Sequence, residues 1–284
     1  MNYILQNAEI SVTIASLGAE IISVVKNGKE RIWQNPTGEW SGHAPLLFPV
    51  SGRCRLTVDG VEYPIGMHGF ARKTEFALEE QGDDFVKLSV QTSEQTKQVY
   101  PYDFKFTVTY RLTQSKLTIS FDVENPSNEP IYFACGSHES YALENNVDSY
   151  EIEFEQEEAR LIHCPHGATS GRLTGEEVDF GTVKTLPLPL NYLQNGNTLI
   201  FKGISSRAVT LKERNGKSLA KVSFEGFENL LLWRAENAKY ICIEPWTNLP
   251  DPENTPDIEF KTKAGVMEVA PKTVKTLTRS IEYF

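Results

Sequence analysis

An all-β fold, an antiparallel β-sandwich or barrel, is what this sequence predicts, and three observations carry the prediction. Apolar residues recur at every second position through most of the chain. Turn-forming pairs separate these runs at roughly 8–12 residue spacing, and helical periodicity is nearly absent.

Taken in order, Ile10, Val12 and Ile14 alternate with polar residues, and the run 21–25 leads through Asn27-Gly28 into Arg31-Ile32-Trp33, which reads as a hairpin. Val58-Asp59-Gly60-Val61 is a second hairpin signal. Val86, Leu88 and Val90 alternate with Phe85, Lys87, Ser89 and Gln91. Phe104, Phe106, Val108, Tyr110 and Leu112 continue the pattern, and Leu117, Ile119, Phe121 and Val123 pair naturally with them. Asn125-Pro126-Ser127-Asn128 is turn chemistry. Tyr150, Ile152 and Phe154 follow, then 199–201, then Val209 and Leu211 before Asn215-Gly216, then Ala220, Val222 and Phe224. The stretches 265–269 and 276–281 also read as extended. Only 93–99 and 256–260 carry enough helical pattern for a turn or two. The Pro-rich stretches 185–189 and 249–256 read as loops, too short and too apolar for linkers, so residues 1–284 are expected to form a single domain. No fixed-period repeat suggests a propeller.

The charge balance narrows the partners. With 28 basic against 38 acidic residues the net charge is −10, which argues against nucleic acid and anionic membranes and in favour of a small neutral ligand. No apolar run approaches the roughly 18 residues of a membrane span, and the first residues lack the pattern of a signal peptide. Cys54, Cys135, Cys164 and Cys242 are widely spaced without a Cys-x-x-Cys pair, and are read as free, buried thiols. A cytoplasmic protein, monomeric or homodimeric, is expected.

Three stretches carry candidate chemistry. In Tyr240-Ile241-Cys242-Ile243-Glu244-Pro245-Trp246, strand-forming residues lead to a carboxylate that Pro245 should leave at a strand end, half desolvated and with a raised pKa suited to a general base. Trp246 offers a flat apolar face of the kind that covers the C–H side of a sugar ring. An ordinary Glu paired with an Arg is the alternative. The stretch from Ala44 to Arg53, continued by Met67-His68-Gly69-Phe70-Ala71-Arg72, places Arg53 and His68 beside glycines that allow tight turns. Gly136-Ser137-His138, after the strand Ile131-Tyr132-Phe133, sets another imidazole past a strand and a glycine. Singly, Arg53 reads more readily as a surface charge, and His68 and His138 as satisfied structural histidines. His163-Cys164-Pro165-His166 holds three potential metal ligands but no second cluster, and reads as a loop with incidental histidines.

In combination, Gly-Arg, His-Gly-Phe-Ala-Arg, Gly-Ser-His and Ile-Cys-Ile-Glu-Pro-Trp resemble the aldose 1-epimerase (galactose mutarotase) superfamily, most closely its LacX-type bacterial branch. Gly18-Ala19-Glu20, Tyr100-Pro101-Tyr102-Asp103-Phe104 and Lys263-Ala264-Gly265 extend the resemblance over almost the whole chain. It implies a β-sandwich with an open sugar-binding cleft and no metal or other cofactor. Glu244 matches the base that takes the anomeric proton, and His138 the acid that protonates the ring oxygen, on opposite sides of one acetal carbon. His68, Arg53 and Arg72 match substrate-binding positions, with Trp246 beside them. Two departures stand out. Glu139 occupies a position where the family usually has Pro, and is expected either to raise the pKa of His138 or to point to solvent. Asn197 is the best match for an Asp that binds sugar hydroxyls. Three alternatives follow: a hexose-6-phosphate 1-epimerase using Arg53, Arg55, Arg72 or Lys73 for the phosphate; a non-catalytic carbohydrate sensor; and a glycoside hydrolase with Asp251 as second carboxylate.

Overall fold

Alternating side chains must bury one face of each strand. The computed structural model, which describes residues 1–188, 192–194, 196–254 and 258–284, shows the strands stacking their apolar faces accordingly. Two large antiparallel sheets dominate. One has nine strands in the spatial order Val183–Pro187, Tyr150–Glu158, Ala208–Glu213, Ser218–Ser223, Val274–Tyr283, Lys116–Glu124, Lys105–Thr113, Phe85–Gln91 and Ala77–Gln81. The other runs Val178–Asp179, Ile162–His163, Thr198–Phe201, Asn229–Trp233, Tyr240–Trp246, Gly136–Ser137 and Leu46–Leu47, with Glu139–Ala142 as an eighth strand also paired to Tyr240–Trp246. A four-stranded sheet holds the N-terminal strands Asn2–Gln6 to Lys29–Glu30.

Val108, Tyr110, Ile119, Phe121 and Ile281 from the nine-stranded sheet join Leu199, Phe201, Leu230, Leu232, Ile241 and Ile243 from the other in one apolar cluster. Each such side chain contributes about 1.5–3 kcal/mol by leaving water. The C-terminal strand lies between Ser218–Ser223 and Lys116–Glu124, so the end of the chain is built into the middle of the larger sheet. Both expected hairpins form. Asn27 and Gly28 have φ of 50° and 73°, and Asp59 and Gly60 have 51° and 77°, the pair of positive angles that a two-residue turn of this hand requires.

The short helical turn expected within 93–99 forms at Glu94–Lys97, with Ser93 Oγ accepting the Thr96 N–H. Of the stretch 256–260, Pro256 and Asp257 lie outside the described residues, and a short 3-10 turn covers Phe260–Thr262. Thr185 to Pro187, read as loop, belongs to the strand Val183–Pro187. That strand is at the sheet edge, where a proline's missing donor is tolerated.

The largest correction concerns Pro245. It does not end its strand, which runs on to Trp246 in the middle of the eight-stranded sheet. The ladder on one side gives the reason: Gly136 pairs with Trp246 and Glu139 with Ile243, while the two steps between, opposite Pro245 and Glu244, are unpaired. A residue without an N–H sits where the neighbouring strand has let go. The same gap frees His138 from the ladder.

Among the described residues no helix is long and apolar enough to cross a membrane. All four cysteines are free and buried.

Candidate active site

The pairings of Gly136 with Trp246 and Glu139 with Ile243 share one register, which continues through the gap and sets His138 opposite Glu244 on the same face. Their side chains meet there, His138 Nε2 lying 3.3 Å from Glu244 Oε2. Strand alternation supplies the surroundings. Leu231 pairs with Glu244, and Ile200 with Leu231; one step along, Trp233 pairs with Cys242, and Thr198 with Trp233. Glu244, Trp246, Leu231, Trp233, Ile200 and Thr198 thus line one cleft of about 370 Å³, while their alternates Ile241, Ile243, Leu230, Leu232 and Leu199 fill the core.

Loops complete the walls. Trp40 stacks on His138 with centroids 5.1 Å apart at 29°, and Trp233 meets the same ring edge-on at 5.5 Å. His68, at φ 67°, stands 5.7 Å from His138 and 5.3 Å from Trp246, near-perpendicular to both. Two bonds with Gly52 hold it: the His68 N–H donates to Gly52 O at 2.9 Å, and the Gly52 N–H donates to His68 Nδ1 at 3.0 Å. With Nδ1 accepting, the ring's proton belongs on Nε2, a donor. Arg72 is half-buried and bonded to Met67 O at 3.2 Å, and Arg53 is exposed; both line the cleft.

Burial governs the electrostatics. Glu244 is 1 % exposed, far more than the half desolvation expected. Burial pushes its pKa well above the carboxylate range, and the charge of Glu139 adds to this; the nearby Trp246 indole opposes it weakly. The same desolvation takes His138 down to about 3, with Arg72 adding to the shift, rather than up as a neighbouring carboxylate would. His68 is held well below its ordinary value by burial, then by His138, Arg72 and Arg53. Burial thus disfavours the imidazolium form of both histidines and the carboxylate form of Glu244, and the adjacent His138 and Glu244 titrate as a coupled pair.

The structure brings together six of the seven residues singled out from the sequence: Glu244, His138, Arg53, His68, Arg72 and Trp246. Asn197 is not among those lining the cleft; its N–H bonds Gln194 O, and its neighbours Gly196 and Thr198 line the wall instead. The strand starts at Thr198, so the alternation that turns Thr198 and Ile200 to the cleft gives Asn197 the other phase. Glu139 neither faces solvent nor raises His138. It is buried in the core and accepts a hydrogen bond from Arg279, because it follows His138 on an alternating strand. Asp251 is held elsewhere by Lys263 Nζ at 2.7 Å, leaving Glu244 the one carboxylate among the described cleft-lining residues.

Sequence reasoning missed Trp40, Trp233 and His166. Trp233 was findable as the phase-mate of Leu231 on a strand beside Glu244, whereas Trp40 comes from a loop without pattern. His166 lines the cleft and its Nε2 accepts the Thr198 N–H at 3.2 Å. His163 Nδ1 accepts the Ile200 N–H at 3.0 Å, so the two imidazoles serve the same strand. One metal-type grouping exists among the described residues, His138, Cys242 and Glu244, with ligand atoms within 4.8 Å of one another.

An antiparallel sandwich with an imidazole–carboxylate pair at the floor of an open, tryptophan-lined cleft defines a protein of galactose mutarotase-like architecture. The chain belongs to the aldose 1-epimerase family, which it matches over residues 1–257. It is 29% identical to the protein LacX (plasmid) of Lactococcus lactis subsp. lactis, over 96% of this chain and 94% of that protein. Among solved structures it resembles a galactose mutarotase related enzyme from Lactobacillus acidophilus (TM-score 0.90, 27% identity, covering 100% of this chain and 97% of that one). A galactose mutarotase-like protein from Lactobacillus casei is equally similar in fold (TM-score 0.90, 25% identity, 100% of each chain).

Proposed function

We propose that the protein is an isomerase of the aldose 1-epimerase type, interconverting the α and β anomers of a hexose. The observation that carries this reading is the 3.3 Å approach of His138 Nε2 to Glu244 Oε2 on the floor of the cleft. Glu244 takes the proton of the anomeric hydroxyl while His138 gives one to the ring oxygen. The bond from the anomeric carbon to the ring oxygen breaks, the open-chain aldehyde turns about its C1–C2 bond, and reclosure with the roles exchanged yields the other anomer.

Acid and base were expected on opposite sides of the acetal carbon, but they stand side by side. This arrangement serves the reaction as well, since the two oxygens share one carbon and a neighbouring donor and acceptor can reach both. Burial favours the neutral form of each group, so a proton passing from Glu244 to His138 as a sugar binds leaves the imidazolium against the carboxylate that released it, ready to give that proton to the ring oxygen while Glu244 takes the anomeric one. His68 Nε2–H, Arg53 and Arg72 are donors for hydroxyls, and Trp40, Trp233 and Trp246 present apolar faces to the C–H faces of a ring.

Polarimetry and saturation-transfer NMR on glucose, galactose and glucose 6-phosphate test the reading. Acceleration over buffer that disappears in Glu244→Gln and His138→Asn supports it. Sugar binding without acceleration instead makes the protein a sensor on this scaffold. Of the residues considered for a substrate phosphate, Arg53 and Arg72 line the cleft, so a phosphorylated hexose is the second reading, and the same comparison decides it; Arg55 lines a different cavity.

A further inference from the structure

Beside the catalytic cleft lies a second cavity, of about 390 Å³, which anomerisation leaves unused. The two share a wall made of two loop segments. Gly171 and Pro250 line the cleft, and Arg172, Leu173, Leu249 and Pro250 line the second cavity. The segments are tied together by Leu173 N–H donating to Asp251 O at 3.1 Å and Glu253 N–H donating to Leu173 O at 2.9 Å. Leu173 and Leu249 also pack on the cluster that contains Trp246.

The cavity's charge is unlike that of the molecule. The chain carries −10, yet Arg55, Arg172, Lys202 and Lys263 line this space against Glu228 and Asp251. Lys263 is committed to Asp251 at 2.7 Å and to Arg55 O at 2.8 Å, and Lys202 is paired with Glu177. Glu228 is exposed. The guanidinium groups of Arg55 and Arg172 have no hydrogen bond or ion pair among the described residues, although both are partly buried. Asp251 is engaged by Lys263 Nζ and by the Arg55 backbone N–H, each at 2.7 Å, and by neither guanidinium. Two uncommitted guanidinium forks, set among Leu173, Leu249, Pro250 and Ile258, match an anion with several acceptor oxygens on an apolar or ring-shaped body. A phosphate presents three such oxygens, enough for two forks at once.

We infer that this cavity is a binding site for a small phosphomonoester with a ring-shaped or apolar body, held by Arg55 and Arg172. The probe is phenyl phosphate, titrated calorimetrically into the intact protein with no sugar present, so the result is independent of whether the cleft anomerises anything. Single-site binding is expected, weaker by roughly tenfold or more in Arg55→Ala and in Arg172→Ala, and unchanged in Arg53→Ala at the cleft. Arg172→Lys, which keeps the charge and loses the fork, should fall between, and thermal melts of each variant confirm that it is folded. Absence of phenyl phosphate binding at millimolar concentration overturns the inference. So does loss of binding in Arg53→Ala alone, or benzoate binding as tightly as phenyl phosphate.

Discussion

Burial works against charge on both Glu244 and His138, raising the pKa of the first and lowering that of the second to about 3, and their pH behaviour follows from that. In the proposed reaction, the competent form is the one with a single proton on the pair. A second proton has to enter His138, whose pKa is down near 3, and the single proton leaves only through the raised range of Glu244. The rate of anomerisation should therefore stay level through pH 6.5, where an ordinary histidine would produce a break; a polarimetric pH profile with an acid limb at that value contradicts the assignment. Removing either partner should lower the rate by roughly 10²–10⁴-fold. Stability gives a second readout. Above the unfolded carboxylate's pKa the unfolded chain loses a proton that folded Glu244 keeps, so stability falls as pH rises toward the folded value. Glu244→Gln removes this loss, and its melting temperature should gain on the parent's more at pH 8 than at pH 4. His138 works in the other direction: between pH 6.5 and about 3 the unfolded chain takes up a proton that the folded one refuses, so stability falls with acidification, and His138→Asn should flatten that limb.

At the scale of the element, the loop bearing His68 and the broken strand bearing His138 show how far sequence could reach. His-Gly-Phe-Ala-Arg was legible because its glycine is forced: a Cβ on Gly69, at φ 70°, would stand 2.1 Å from Phe48 O. Gly60, at φ 77°, has open space around it. Gly69→Ala should thus cost clearly more than Gly60→Ala, which bears only the strain of about 1 kcal/mol from its backbone angle, and should also weaken sugar binding by moving His68. Equal melting temperatures for the two variants would mean that the Phe48 contact yields freely. The strand was harder to read. Gly136 and Ser137 are poor strand formers, so Gly-Ser-His looked like a loop, and without the alternation the opposite directions of His138 and Glu139 stayed hidden. Pro245 looked like a terminus because sequence shows the missing donor but not that the partner strand parts at that step. Antiparallel sheet itself was plain from the alternation over nine-residue strands such as Lys105–Thr113 and Lys116–Glu124, whereas alternation is the same in a sandwich and a barrel, and the sandwich came from the family resemblance.

At the scale of the whole molecule, one charged contact among the described residues joins the two large sheets beneath the site. Arg279 belongs to Val274–Tyr283 in the nine-stranded sheet, and its Nη2 donates to Glu139 Oε1 on Glu139–Ala142 in the other; neither side chain is exposed. Burial pushes Glu139 up and Arg279 draws it back down. Glu139 does not line the cleft, yet its charge is the second cause of the high pKa of Glu244, so the contact that spans the core also tunes that carboxyl, the base of the proposed reaction. Breaking it from one side strands a buried charge: Glu139→Leu alone should cost about 3–5 kcal/mol, and Arg279→Met alone a similar amount. Made together, the two changes leave two apolar side chains in an apolar layer, and most of that loss should return, giving a non-additivity of about 2 kcal/mol or more by denaturant unfolding. The double variant carries the chemical test. With the Glu139 charge gone, desolvation alone holds Glu244 up, so the alkaline limb of its anomerisation profile should move to lower pH while the acid limb, set by His138, stays in place. A double variant that recovers stability and keeps the parent's alkaline limb would show that the pair holds the sheets together and leaves the base untouched.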